Sequence, residues 1–116
     1  MAGAEAGEIF MDARFVHDGK AIDYVPATNT TAGSVIVLGD RVGITKFDIA
    51  ANTLGSLAMV GVFDIEKDNT VIPEYGKVYW DNTAKKATLT ASGNTLMGIA
   101  LAATIATDTV VRVRLN

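Results

Sequence analysis

The chain has 116 residues, the length of one domain, with 49% hydrophobic and 20% charged residues, a composition typical of globular rather than disordered proteins. Its net charge is −3 and its ten Lys and Arg residues are scattered, which argues against nucleic acid as a partner, because phosphate neutralisation needs clustered cations. The absence of cysteine excludes disulfides, thiolate metal sites and cysteine nucleophiles.

Residues 1–12 are expected to form an extended N-terminal arm in front of a single β domain over residues 13–116. The arm is small and acidic at first, unlike a secretory signal, and then carries the apolar trio Ile9-Phe10-Met11. Residues 87–107 carry no charge, but their apolar part falls short of the ~20 residues that a membrane helix needs. We therefore expect no membrane partner.

A first hairpin is predicted over residues 13–24. Its centre, Asp18-Gly19, favours a two-residue type I′ turn, because both central residues of that turn need a positive φ. The resulting register places Phe15 opposite Ile22, so that two apolar side chains meet on one face. Arg14 lies opposite Asp23 on the other face, so opposite charges also meet across the strands and support this pairing.

A second hairpin is predicted over residues 34–45. Its turn, Gly39-Asp40, has glycine at the first central position, which suits a type II′ turn. Residues 57–65 are β-branched and apolar, and they are predicted to form one further strand. The polar residues 66–69 then turn the chain.

The last third of the chain alternates between short strands and turns. Strands are predicted over residues 78–80, 87–90 and 96–103. The alanine and leucine of the third segment also favour a helix, but Gly98 and the nearby turns favour a strand.

The final segment has the clearest alternation of the chain. Val111, Val113 and Leu115 share one face, and Arg112 and Arg114 share the other. Short strands separated by regular turns, with no sustained helical period, indicate an all-β fold, either a small antiparallel barrel or a sandwich.

No set of residues suited to catalysis emerges, so the chain is not expected to be an enzyme or to need a cofactor. The only histidine, His17, lies beside a predicted tight turn. Asp64, Glu66 and Asp68 alternate and could hold calcium, but they lack the glycine and terminal glutamate of an EF-hand loop. A solvated acidic strand edge is the favoured interpretation, and no metal is expected.

Two groups of side chains could bind a partner. Tyr75, Tyr79 and Trp80 could stack on a sugar, but alternation puts Tyr79 and Trp80 on opposite faces, which favours core packing. Arg112 and Arg114 could contact a partner that carries carboxylates, although a solvated face is the more common explanation.

Several segments carry a resemblance to a known family. Upstream, these are residues 15–19 and 61–63; the C-terminal segments are Gly76-x-Val78-Tyr79-Trp80-Asp81, Gly93-Asn94-x-x-x-Gly98-Ile99-Ala100 and Val111-Arg112-Val113-Arg114-Leu115. In this order they resemble the capsid cement, or head decoration, proteins of tailed bacteriophages and prophages. The resemblance implies a β-rich homotrimer on the outside of an icosahedral head, where it clamps neighbouring subunits of the major capsid protein.

The resemblance makes the virion the expected location and the major capsid protein the expected partner. Ile9, Phe10 and Met11 are predicted to lie along a capsid subunit, as an added strand or in a groove, with Arg112 and Arg114 as further contacts. Two other functions stay open: a carbohydrate-binding accessory domain, and a structural protein of the tail or baseplate.

Overall fold

The structure is a computed structural model that describes residues 12–116. Within these residues the chain forms nine β-strands and no helix, which confirms the predicted all-β class. The strands are β1 (Ala21–Tyr24), β2 (Val35–Leu38), β3 (Arg41–Ile44), β4 (Gly55–Ala58), β5 (Val62–Glu66), β6 (Lys77–Asp81), β7 (Lys86–Thr88), β8 (Thr95–Ala100) and β9 (Val110–Leu115).

The strands form two antiparallel sheets. The first has the order β1-β4-β3-β2, and the second has the order β5-β9-β8-β6-β7. The two edges of the second sheet approach each other just after β5, where Lys67 and Ala87 form an isolated parallel bridge. Because one bridge does not complete a ladder, the sheet is curled but is not a closed barrel. The architecture is sandwich-like.

One hydrophobic core joins the two sheets. Val42 and Ile44 of β3 pack in the same buried cluster as Val78, Met97 and other apolar residues of the second sheet. The alternation in β9 places its three apolar side chains in this core, as predicted. Full burial of such a side chain contributes roughly 1.5–3 kcal/mol, so the shared cluster holds the sheets together.

The second hairpin forms as predicted. β2 pairs with β3 in a register that places Leu38 opposite Arg41 and leaves Gly39-Asp40 as the two-residue turn. Gly39 has a φ of +61° and Asp40 has no positive φ, which is the combination that a type II′ turn requires. Local turn chemistry therefore determines this register.

The first hairpin was predicted wrongly. Residues 13–20 contain no strand, and β1 pairs with β4, so that Ile22 lies opposite Leu57 instead of Phe15. Gly19 does adopt a positive φ of +70°, but Phe15 is 78% exposed and pairs with no strand among residues 12–116. Leu57 is fully buried, so β4 offers Ile22 a core-facing partner that an isolated hairpin lacks.

The predicted strand over residues 57–65 is two strands, β4 and β5, which belong to different sheets. The chain leaves the first sheet after Ala58, and Gly61 has a φ of +125°, a conformation that other residues rarely adopt. The apolar run is continuous in sequence because both strands contribute to the core, although the backbone breaks between them.

The C-terminal strands confirm the remaining predictions. β6, β7, β8 and β9 lie where the sequence placed them, and the segment 96–103 is a strand rather than a helix up to Ala100. Gly98 is buried, and a Cβ atom there would overlap the carbonyl oxygen of Arg114 and lie 2.8 Å from its carbonyl carbon. Close approach of β8 to β9 therefore requires glycine at this position.

Candidate functional site

The predicted contact residues Ile9, Phe10 and Met11 lie outside the described residues. The other two, Arg112 and Arg114, are exposed on β9, on the face opposite the core, as the alternation predicted.

Arg112 is already engaged within the protein. Its Nε donates to Oδ1 of Asp64 at 2.8 Å, and its Nη2 donates to Oδ2 at 3.0 Å, across the β5–β9 pair. This hydrogen bond, with the charge of Arg112, holds the pKa of Asp64 below its ordinary value and raises the pKa of Arg112. The guanidinium group is therefore oriented by the sheet, and three of its five N–H donors remain for a partner.

Arg114 differs from Arg112 in its neighbours on the sheet. The strand registers align Val62, Arg114, Ile99 and Lys77 in one row across β5, β9, β8 and β6. Within residues 12–116, neither Arg114 nor Lys77 takes part in a salt bridge. This row combines two cations with partly exposed apolar side chains, which is a suitable surface for an acidic partner.

The acidic residues of β5 and the following loop do not converge on one point. Asp64 binds Arg112, and Glu66 forms a salt bridge with Lys86 at 3.2 Å. Asp68 accepts hydrogen bonds at 3.0 Å from the backbone and at 2.6 Å from the hydroxyl of Thr70. Across the described part of the chain, no group of three potential ligands is placed to hold a metal ion.

The three aromatic residues do not form a sugar-stacking platform. Trp80 is 6% exposed within the core, and its Nε1 donates to Oδ1 of Asn82 at 3.0 Å. Tyr79 alternates to the opposite side of β6, and Tyr75 is 66% exposed in the turn before that strand. The predicted core packing of Trp80 is confirmed.

Exposed apolar side chains gather along the ribbon formed by β1 and β4, where the sequence predicted no site. Phe47 is 74% exposed, Leu54 69% and Val60 45%. Two hollows lie along the ribbon, and Phe47 and Ser56 line both of them. Phe47 therefore stands between the two hollows.

One hollow is acidic. It has a volume of about 360 Å³ and lies towards the end of β1, where Asp23 and Asp48 line it together with Leu54. Asp48 also accepts a hydrogen bond from the backbone N–H of Ala32 at 2.8 Å, so its carboxylate is fixed in place.

The other hollow is basic. It has a volume of about 260 Å³ and lies at the start of β1, where Lys20 and Lys46 line it together with Val60. Within the described residues, no charged side chain of either hollow forms a salt bridge. We call Phe47 with the acidic and basic hollows the Phe47 surface.

The Phe47 surface was missed because it depends on the pairing of β1 with β4, which the sequence analysis assigned elsewhere. One local signal was present: Lys46-Phe47-Asp48 places an aromatic residue between opposite charges outside any predicted strand. An aromatic residue flanked in this way has no strand face on which to be buried, so exposure could have been predicted.

Comparison with known protein families gave a match that covers most of the chain. A family model described as phage cement protein matches residues 16–115, which include all nine strands, the row of Arg114 and the Phe47 surface. The search of curated proteins and the search of solved structures gave no match. In residues 12–116, no helix has the length and apolar character needed to cross a membrane.

Proposed function

The chain belongs to the phage cement protein family, and on that premise we propose that it binds the outer surface of the assembled phage head and stabilises contacts between subunits of the major capsid protein. The family match over residues 16–115 carries this proposal, and it confirms the resemblance seen in the sequence. A structural role associated with the phage capsid follows from the family itself. The outer surface and the subunit contacts are the finer part of the proposal.

The physical basis of such a role is linkage. A protein that binds the assembled shell but not the free subunits stabilises the shell, because the favourable binding free energy of each copy is lost when the shell disassembles. We propose a homotrimer as the binding unit, since three linked contacts dissociate far more slowly than one. Binding sites shared between neighbouring subunits give the selectivity for the assembled shell.

The proposed capsid contacts lie at both ends of the sequence. Ile9, Phe10 and Met11 form the only apolar run in an otherwise small and acidic arm, which suits strand addition or insertion into a groove. Arg114 supplies a cation beside Ile99 for an acidic capsid surface. Arg112, oriented by Asp64, contributes the edge of its guanidinium group to the same surface.

The test uses expanded heads that lack this protein and the purified full chain. We expect the protein to sediment with heads but not with free capsid subunits, to raise the temperature at which the heads disassemble, and to add density on the outer surface in electron microscopy. Equal binding to free subunits would contradict the proposal. Density on the tail or baseplate instead of the head would also contradict it and would favour the tail alternative.

Two variants test the contact residues. Deletion of residues 1–12 is expected to abolish binding to heads while leaving the thermal unfolding of the domain unchanged. Arg114→Glu is expected to weaken binding, whereas Arg41→Glu, at the exposed start of β3, serves as the matched control. Unchanged binding by the deletion variant would exclude the arm, and equal effects of the two arginine variants would exclude Arg114.

A further inference from the structure

We propose that the Phe47 surface is a self-complementary contact through which two copies of this chain associate around a twofold axis. The proposal goes beyond head binding, because it concerns contacts between copies and is tested without capsids. It rests on three observations: an exposed aromatic side chain, two hollows on either side of it, and opposite charge in those hollows.

The order of these features follows from the pairing of β1 with β4. Ala21 lies opposite Ala58 at the basic end of the ribbon, and Asp23 lies opposite Ser56 towards the acidic end. Phe47 lines both hollows. The spatial order of the side chains along the ribbon is therefore the two lysines, the aromatic ring and then the two carboxylates.

A twofold rotation about Phe47 reverses this order in the second copy. The basic hollow of each copy then faces the acidic hollow of the other, and the two phenyl rings meet at the axis. Leu54 of one copy lies over Val60 of its partner in this arrangement. A twofold contact is isologous, so every favourable pair occurs twice.

The charge pattern of the Phe47 surface favours a second copy of this chain as the partner. A purely acidic or purely basic partner would be attracted to one hollow and repelled by the other, since like charges brought together oppose binding. The partner surface must present carboxylates, an apolar centre and cations in the reverse order. This chain itself carries such a surface.

The direct measurement is sedimentation of the full chain over a range of concentrations. We expect a monomeric chain to double in mass as the concentration rises, and a trimeric one to form hexamers or larger assemblies. We expect added salt to oppose this association because the charges are exposed. Phe47→Ser is expected to weaken association by about tenfold or more, as for a central aromatic contact. Leu89→Ser, which removes an exposed apolar side chain from another strand end, is the matched control.

A charge-swap experiment tests the twofold arrangement itself. The pair Lys20→Glu with Lys46→Glu makes both hollows acidic. The pair Asp23→Lys with Asp48→Asn makes both basic and keeps an amide oxygen to accept the hydrogen bond from Ala32. Neither variant alone is expected to associate, whereas an equimolar mixture should form the mixed pair.

Circular dichroism and thermal unfolding of each variant establish that it is folded before association is measured. Association of the mixture but not of the separate variants supports the proposal. The proposal is overturned if the wild-type chain stays at its basal mass at every concentration, if Phe47→Ser associates like wild type, or if the mixture fails where wild type succeeds. If the wild-type chain does not self-associate but Phe47→Ser loses binding to heads, this surface is a capsid contact instead.

Discussion

Gly98→Ala tests whether close approach of β8 to β9 holds the second sheet together. Gly98 is paired with Leu115, and an added Cβ atom would overlap the carbonyl oxygen of Arg114 and lie 3.1 Å from the Cα atom of Leu115. All of these are backbone atoms, so no change of rotamer can relieve the overlap. The φ of Gly98 lies outside the left-handed region, so the clash is the only objection to alanine.

The expected cost follows from three contributions. Overpacking in a well-packed core costs about 2 kcal/mol. Displacement of β9 weakens about two hydrogen bonds of the ladder, at roughly 1 kcal/mol each. Replacing glycine by alanine also lowers the conformational entropy of the unfolded chain, which offsets about 0.7 kcal/mol of this destabilisation. The free energy of unfolding should therefore fall by about 3 kcal/mol, a large part of the roughly 5–15 kcal/mol of a typical domain.

Urea unfolding followed by tryptophan fluorescence measures this loss, because Trp80 lies in the affected sheet. Gly93→Ala is the control. Gly93 has a φ of +76° and no atom within 4 Å of an added Cβ, so its substitution costs only backbone strain, about 1 kcal/mol. Equal losses in the two variants would refute the packing argument, since backbone conformation alone would then explain both.

Two further predictions concern charged side chains. Lys67 is 4% exposed, and its Nζ donates to three carbonyl oxygens at 2.7, 3.2 and 3.2 Å, so Lys67→Met should lower the free energy of unfolding by about 2–3 kcal/mol in urea titrations. Because Arg112 lowers the pKa of Asp64, their hydrogen bond stabilises the fold above the ordinary carboxyl pKa and is lost as the pH falls through the lowered value. The difference in melting temperature between wild type and Asp64→Asn should therefore shrink below about pH 4.

Prediction from sequence succeeded where structure is decided locally. Gly39-Asp40 forms its turn from its own backbone preferences, and the alternation of β9 requires only that one face be buried. It failed for the first hairpin, because the partner of Ile22 is Leu57, far along the chain. Turn residues at Asp18-Gly19 can bend the chain, but they cannot compete with a pairing that leads into the core.

The candidate sites also divide into features that a local sequence pattern specifies and features that depend on the pairing of distant segments. Exposure of Arg112 could be predicted from alternation, but its hydrogen bonds to Asp64 depend on the register of β5 against β9, which no local pattern specifies. The two hollows beside Phe47 arise only after β1 and β4 have paired. Surfaces assembled from distant segments are therefore the part of function that a single sequence predicts least well.

In the proposed twofold contact, the rigid backbone around Phe47 lowers the entropic cost of binding. On one side, Thr45 is 1% exposed and its carbonyl accepts from Gly33 at 2.7 Å; on the other, Ile49 is 6% exposed and exchanges two backbone hydrogen bonds of 2.8 Å with Thr30. The backbone around the exposed ring is thus fixed before any partner arrives, and a phenyl ring has only two torsions left to order. If many copies pair in this way, the saving is repeated at every contact. A rigidly presented aromatic residue therefore suits repeated weak contacts better than the same residue on a free tail.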